Sequence, residues 1–184
     1  MARAAAALIA FLALAAAACG GSGGSSGSHV ETLSGASTTP LTSTSNADFY
    51  ALMNGLAVGR HTGYDRVTFT FRDFVPGYVI SYVDPPITED GSGKTVNVAG
   101  SDYVRVLMQP ASGFDLNTGE GVIVYKGPKR ISGADAGTSV VKDVVRTGDF
   151  ESVLTWTIGL ADKVGYRVQT LESPPRLVID FDNG

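Results

Sequence analysis

Asp65-Arg66-Val67-Thr68-Phe69-Thr70-Phe71 is the stretch on which the fold turns. Val67, Phe69 and Phe71 alternate with Arg66, Thr68, Thr70 and Arg72. Period two, with apolar side chains at every second place, describes a strand with one face buried and one wet. The same grammar continues downstream. Residues 78–83 read as a second strand, set off by Pro76-Gly77 and stopped by Pro85-Pro86. Residues 103–109 are a third, with Val104, Val106 and Met108 on one face, and residues 121–125 a fourth. Residues 140–146 are a fifth, ended by Gly148-Asp149. A sixth spans 150–160, with Phe150, Ser152, Leu154, Trp156 and Ile158 sharing a face. Residues 166–171 and 176–181 close the series around Ser173-Pro174-Pro175. Eight short strands between Gly/Pro breaks, with no long helical pattern, predict an all-β sandwich or barrel.

Working outward, the chain before this block changes character. Residues 20–60 are poor in large apolar side chains and rich in Gly, Ser and Thr, which predicts a flexible tether. Within it, residues 47–58 have enough apolar content for a short helix or an extra strand. Further upstream, Arg3 precedes an Ala/Leu-rich run over 4–18, too short for a confident membrane span. Ala16-Ala17-Ala18-Cys19-Gly20 then resembles the cleavage and acylation site of bacterial lipoproteins, with Ala16 where that signal usually has Leu. Ordinary signal cleavage is the alternative. The organisation expected is therefore a signal peptide over 1–18, a lipidated Cys19 with its tether over 19–60, and a folded domain over 61–184. Diacylglycerol on Cys19 would make the membrane a partner, two acyl chains being enough for a stable anchor.

Composition removes several function classes. The 14 Lys+Arg and 18 Asp+Glu leave a net charge of -4, with no basic footprint for nucleic acid. Lys126, Lys129 and Arg130 form the densest basic cluster and read as a solvated turn. One cysteine allows no intramolecular disulfide, so the core must hold the fold.

The chemical motifs are mostly false leads. Gly91-Ser92-Gly93-Lys94-Thr95 ends like a phosphate-binding loop, but Thr88 stands where its first glycine belongs, and a hairpin turn explains the run. The two histidines, His29 and His61, have no partner at zinc spacing. No Gly-x-Ser-x-Gly elbow surrounds a serine of the folded part. Asp180 and Asp182 share a strand face and read as a solvated pair rather than an acid/base pair for glycan cleavage. The expectation is a protein that is not an enzyme, with no catalytic residue, metal or cofactor.

Binding is the better expectation. Sugars are held by aromatic faces and planar polar groups, and peptide carboxylates suit arginine. The candidates are Arg66 and Arg72, projecting away from Val67, Phe69 and Phe71; Tyr103 and Arg105, projecting away from Val104 and Val106; and Tyr78 and Tyr82, whose face is undetermined. Trp156 reads as core.

The end of the chain carries a resemblance. Tyr166-Arg167-Val168-Gln169-Thr170-Leu171 followed by Ser173-Pro174-Pro175-Arg176-Leu177-Val178-Ile179-Asp180-Phe181 is similar to the closing hairpin of AMIN domains. The opening strand quoted above, Gly77-Tyr78-Val79-Ile80 and Gly148-Asp149-Phe150-Glu151-Ser152-Val153-Leu154-Thr155-Trp156 resemble the AMIN-like lipoproteins over about residues 63–182. That resemblance implies a two-sheet β-sandwich acting as a targeting module, like the AMIN domains of cell-wall amidases and secretion-pore proteins that localise to peptidoglycan. The function expected is an extracytoplasmic, lipid-anchored, non-catalytic module binding cell-wall peptidoglycan. The alternative is a lipoprotein docking to another envelope protein.

Overall fold

The computed structural model describes residues 33–117 and 121–184. Thirteen strands and one helical turn follow one another. They are β1 (Leu41–Ser43), β2 (Ala51–His61), β3 (Tyr64–Phe71), β4 (Gly77–Val83), β5 (Asp102–Gln109), β6 (Ala111–Ser112), β7 (Phe114–Asp115), β8 (Val122–Ile123), β9 (Arg130–Ser132), α1 (Gly133–Ala136), β10 (Val141–Phe150), β11 (Val153–Leu160), β12 (Tyr166–Glu172) and β13 (Pro175–Asp182). One sheet has the order β12-β13-β3-β2-β6, the other β1-β4-β5-β11-β10-β9, and β7-β8 form a small ribbon. The fold is all-β and sandwich-like, and each of the eight expected strands has its counterpart.

The two inner faces make one core. Val67, Phe69 and Phe71 of β3 and Leu177, Ile179 and Phe181 of β13 line one side. Val104, Val106 and Met108 of β5 and Leu154, Trp156 and Ile158 of β11 line the other. Trp156 is fully buried, its ring centroid 5.9 Å from that of Phe69 and 5.7 Å from that of Tyr125 in an edge-on contact. Fully burying a side chain of this class contributes about 1.5–3 kcal/mol, which lets the sandwich stand without a disulfide.

Part of the outer face of the six-stranded sheet is covered as well. Ile87 and Val98 fold back onto Val145, with Val83, Val96 and Tyr103 packed around them. Asp143 ties this arm down, accepting from Ala99 N at 3.1 Å and from the Arg130 guanidinium, whose other end donates to Asn97 O at 2.5 Å. Arg130 is thus a clamp rather than part of a solvated turn, while Lys126 and Lys129 are exposed. The Gly91–Thr95 run lies in a hairpin loop whose stem is the Thr88↔Thr95 bridge, and no helix follows it.

The boundary expected at residue 61 falls too late. β2 is a full strand of the five-stranded sheet, paired with β3 from Met53 to His61, and Ala51, Leu52 and Met53 are buried. Its alternation is hidden in the sequence by a register shift between Met53 and Gly55. Residues 33–45, expected to be free tether, form a strap. Leu33 N donates to Asp182, Ser37 bridges Tyr166, and β1 adds to the edge of β4. Backbone hydrogen bonds hold this strap while the β1 side chains stay exposed, so no apolar pattern marks it. Cys19 and the signal and Gly/Ser segments lie outside the described residues.

Two further readings change. The turn expected at Gly148-Asp149 is at Glu151-Ser152, where both residues have positive φ, 51° and 62°. Phe150 therefore ends β10 and is 62% exposed instead of sharing the buried face of Trp156. The fourth strand shrinks to Val122–Ile123, and Val124 and Tyr125 are buried in irregular chain.

Candidate functional site

On the five-stranded sheet, β3 alternates strictly: Asp65, Val67, Phe69 and Phe71 face inward, Tyr64, Arg66, Thr68 and Thr70 outward. Register aligns Gly59, Arg66, Asp180 and Arg167 in one row across β2, β3, β13 and β12. Arg66 grips Asp180 through two bonds, Nε to Oδ1 at 2.6 Å and Nη2 to Oδ2 at 2.9 Å. Arg167 Nη2 adds a third at 2.9 Å. Asp180 is fully buried under these two side chains, which remain 27% and 36% exposed.

The electrostatics follow from that burial. Desolvation alone would push the Asp180 carboxyl up, but the hydrogen bonds and charges of Arg66 and Arg167 outweigh it and hold it below its usual value. The hydrogen bond to Asp180 raises Arg66 in turn. The Arg66 guanidinium also lies 5.0 Å from the Tyr64 ring centroid, a cation–π contact. Two guanidinium groups are thus fixed in orientation by one buried carboxylate, with donors left over, since each carries five N–H. The solvated aspartate pair expected from the sequence is not what forms: Asp180 is the buried pivot of the row, while Asp182 accepts from Leu33 N at 3.1 Å.

The surroundings of the row mix small, polar and apolar side chains, with Val178 buried among them. Gly59 faces Arg66 from the next strand, and a Cβ there would meet nothing within 4 Å. The next row holds Ala57, Thr68, Val178 and Gln169, and the one beyond it Gly55, Thr70, Arg176 and Leu171. Small residues on β2 beside hydroxyl, amide and guanidinium groups form a shallow shelf suited to a polar, planar ligand.

The six residues singled out in the sequence do not assemble. Arg66 alone lies in this row. Arg72 is exposed just beyond β3. Tyr78 and Tyr82 pair with Met108 and Val104 on the inward-facing side of β4 and pack against the core. Tyr82 Oη donates to Val164 O at 2.6 Å and accepts from Val164 N at 3.0 Å, and burial pushes its hydroxyl up to about 12. Tyr103 and Arg105 are on the outer face of the other sheet. Tyr103 donates to Gly100 O at 2.8 Å beside the covering arm. Arg105 lines a cleft of about 100 Å³ with Asp84, Asp90 and Thr157. Missing from the candidates were Arg167 and the partnership of Asp180, both of which depend on the register that sets β12 and β3 on either side of β13.

Other sites are structural in character. Asp65, fully buried, accepts from the backbone N–H groups of Ser139, Val140 and Val141 at 2.9, 2.6 and 3.0 Å, and from Asn183 Nδ2 at 2.7 Å. It pins the 139–141 loop and the end of the chain to the sandwich. His61 stacks on Tyr64 with centroids 4.8 Å apart. Among the described residues no group of three His, Cys, Asp or Glu side chains converges to hold a metal ion. A groove of about 380 Å³ runs beside β1, lined by Thr42, Ser45, Tyr78, Val79 and Leu107.

A family model described as the AMIN-like domain matches residues 51–183. No curated protein and no solved structure matches the chain.

Proposed function

The chain belongs to the AMIN-like domain family, and from that premise we propose that it is a non-catalytic module binding cell-wall peptidoglycan through the outer face of its five-stranded sheet. The observation that carries this reading is the Gly59-Arg66-Asp180-Arg167 row. A buried carboxylate orients two partly exposed guanidinium groups over a shelf of small residues. Arginine forks match peptide carboxylates in two-pronged geometry, and neighbouring Thr68 and Gln169 offer hydroxyl and amide groups to sugar hydroxyls. Asp180 is tied up in three hydrogen bonds and Asp65 in four, so neither is poised for acid/base work on a bound glycan.

In the same reading Cys19 is acylated and holds the module outside the cytoplasmic membrane. The Ala16-Ala17-Ala18-Cys19 run supports it. The first test is sedimentation of the Cys19→Ser chain, freed of its acyl group, with purified peptidoglycan. The chain pellets with the wall, and Arg66→Ala with Arg167→Ala returns it to the supernatant. A chain that stays in the supernatant from the start removes the proposal.

A further inference from the structure

Asp180 does not use up the donors of the row. Arg66 gives it Nε–H and one Nη2–H, the side fork of the guanidinium. The end fork, made of Nη1 and the second Nη2–H, has no partner among the described residues. Nε and Nη2 face Asp180 on β13, so Nη1 lies on the edge turned away from it. β2 is the strand on the other side of β3, and it sets Gly59 opposite Arg66. A Cβ at Gly59 would meet nothing within 4 Å, so there is open space on that side of Arg66. Arg167 commits Nη2 to Asp180 and reaches Ser34 O from Nη1 at 3.4 Å, which leaves its Nε–H unused among the described residues.

Charge and shape choose the chemistry of the ligand. On the outer face of β2, β3, β12 and β13, register places the cations Arg66, Arg167 and Arg176 and the carboxylates Asp180 and Asp182. Three against two leaves one positive charge in excess, on a chain whose net charge is -4. An anion closes that balance and a neutral sugar does not. A carboxylate offers two oxygens spaced for a guanidinium fork, and it accepts without donating. The rings of this face are already engaged. His61 stacks on Tyr64 at 4.8 Å, and the Arg66 guanidinium lies 5.0 Å from the Tyr64 centroid, so they are not laid out as a platform for a sugar ring.

We infer, resting on the wall-binding face proposed above, that the end fork of Arg66, backed by Arg167, takes a free carboxylate of a wall stem peptide, and that converting this carboxylate to its amide switches binding off. Amidation removes the negative charge and replaces an acceptor oxygen with an NH2 group, which meets the N–H groups of the fork donor to donor. The test uses the Cys19→Ser chain on sacculi stripped of attached polymers, so that the remaining carboxylates are those of the peptides. One batch is left untreated, and in the other the carboxylates are amidated with carbodiimide and ammonium chloride. The chain binds the amidated batch at least about tenfold more weakly, the loss expected for hydrogen bonds to a charged group. Glycan strands freed of peptide by an amidase do not compete. The sign of the change separates this contact from bulk charge. A chain of net charge -4 is repelled by an anionic wall, so without a carboxylate contact amidation would tighten binding. Equal or tighter binding to the amidated batch overturns the inference and leaves wall binding by this face standing. Competition by peptide-free glycan has the same consequence. Binding to neither batch overturns the inference together with the wall-binding face on which it rests.

Discussion

Replacing Asp180 with Asn is the sharpest perturbation of the row. The substitution keeps the volume of the side chain and removes its charge. Three charge-assisted hydrogen bonds, at 2.6, 2.9 and 2.9 Å, are weakened together. Bonds to charged groups contribute roughly 1.5–3 kcal/mol each, and removing one partner of a buried pair costs roughly 3–5 kcal/mol. Arg66 and Arg167 are 27% and 36% exposed, so water recovers part of the loss. A net destabilisation of about 2–4 kcal/mol is expected on these terms. Trp156 is the chain's one tryptophan and is fully buried, so its emission reports unfolding in urea. With a urea slope of roughly 1–3 kcal/mol per molar, the midpoint falls by about 1–2 M. The pH dependence has a definite sign. The folded carboxyl titrates below its usual value, so its stabilisation is present above the unfolded value and is lost as pH falls through the folded one. The gap between the native chain and Asp180→Asn is therefore full at pH 7 and closes below about pH 4. A gap under about 1 kcal/mol at pH 7, or one that widens in acid, would refute the electrostatic account of the row.

The other predictions concern the turn, the strap and the anchor. Glu151→Asn with Ser152→Gly suits the two positive-φ positions and raises stability by about 1–2 kcal/mol in the same urea assay; an unchanged midpoint contradicts the strain assigned there. Deleting residues 33–45 removes the Leu33–Asp182, Ser37–Tyr166 and β1–β4 hydrogen bonds and lowers stability by about 2–4 kcal/mol, whereas a free tether would be lost without effect. Cys19→Ser moves the protein from membrane to soluble fractions, and persistence at the membrane would show that something other than acylation holds it there.

What the sequence made legible follows from which forces hold each element. Val67, Phe69 and Phe71 announce β3 because that strand is wet on one face and dry on the other, whereas β13 is buried from Leu177 to Phe181 and was marked instead by the Ser173-Pro174-Pro175 break before it. The strap was invisible because backbone groups hold it, and a Ser/Thr-rich stretch carries no record of where its N–H groups will point. β2 was ambiguous because the irregularity between Met53 and Gly55 shifts its alternation. β11 misled at its start because Glu151 and Ser152 take left-handed backbone that neither residue advertises. The candidate site was half legible. Alternation placed Arg66 on the outer face, but that its neighbour is a buried aspartate shared with Arg167 depends on register across three strands, which one strand's pattern does not contain. The face of Tyr78 and Tyr82 was undetermined in the sequence because a tyrosine fits core or surface alike when its hydroxyl is satisfied, as that of Tyr82 is at Val164.

The central claim is that the face built on Arg66, Asp180 and Arg167 binds the cell wall. A binding isotherm of the Cys19→Ser chain on purified peptidoglycan sacculi tests it most directly, run beside Arg66→Ala with Arg167→Ala and beside Arg105→Ala on the opposite sheet. The account predicts saturable binding, lost at least tenfold in the double variant and unchanged in Arg105→Ala. Absence of saturable binding, or equal binding by the native face and the double variant, would contradict it.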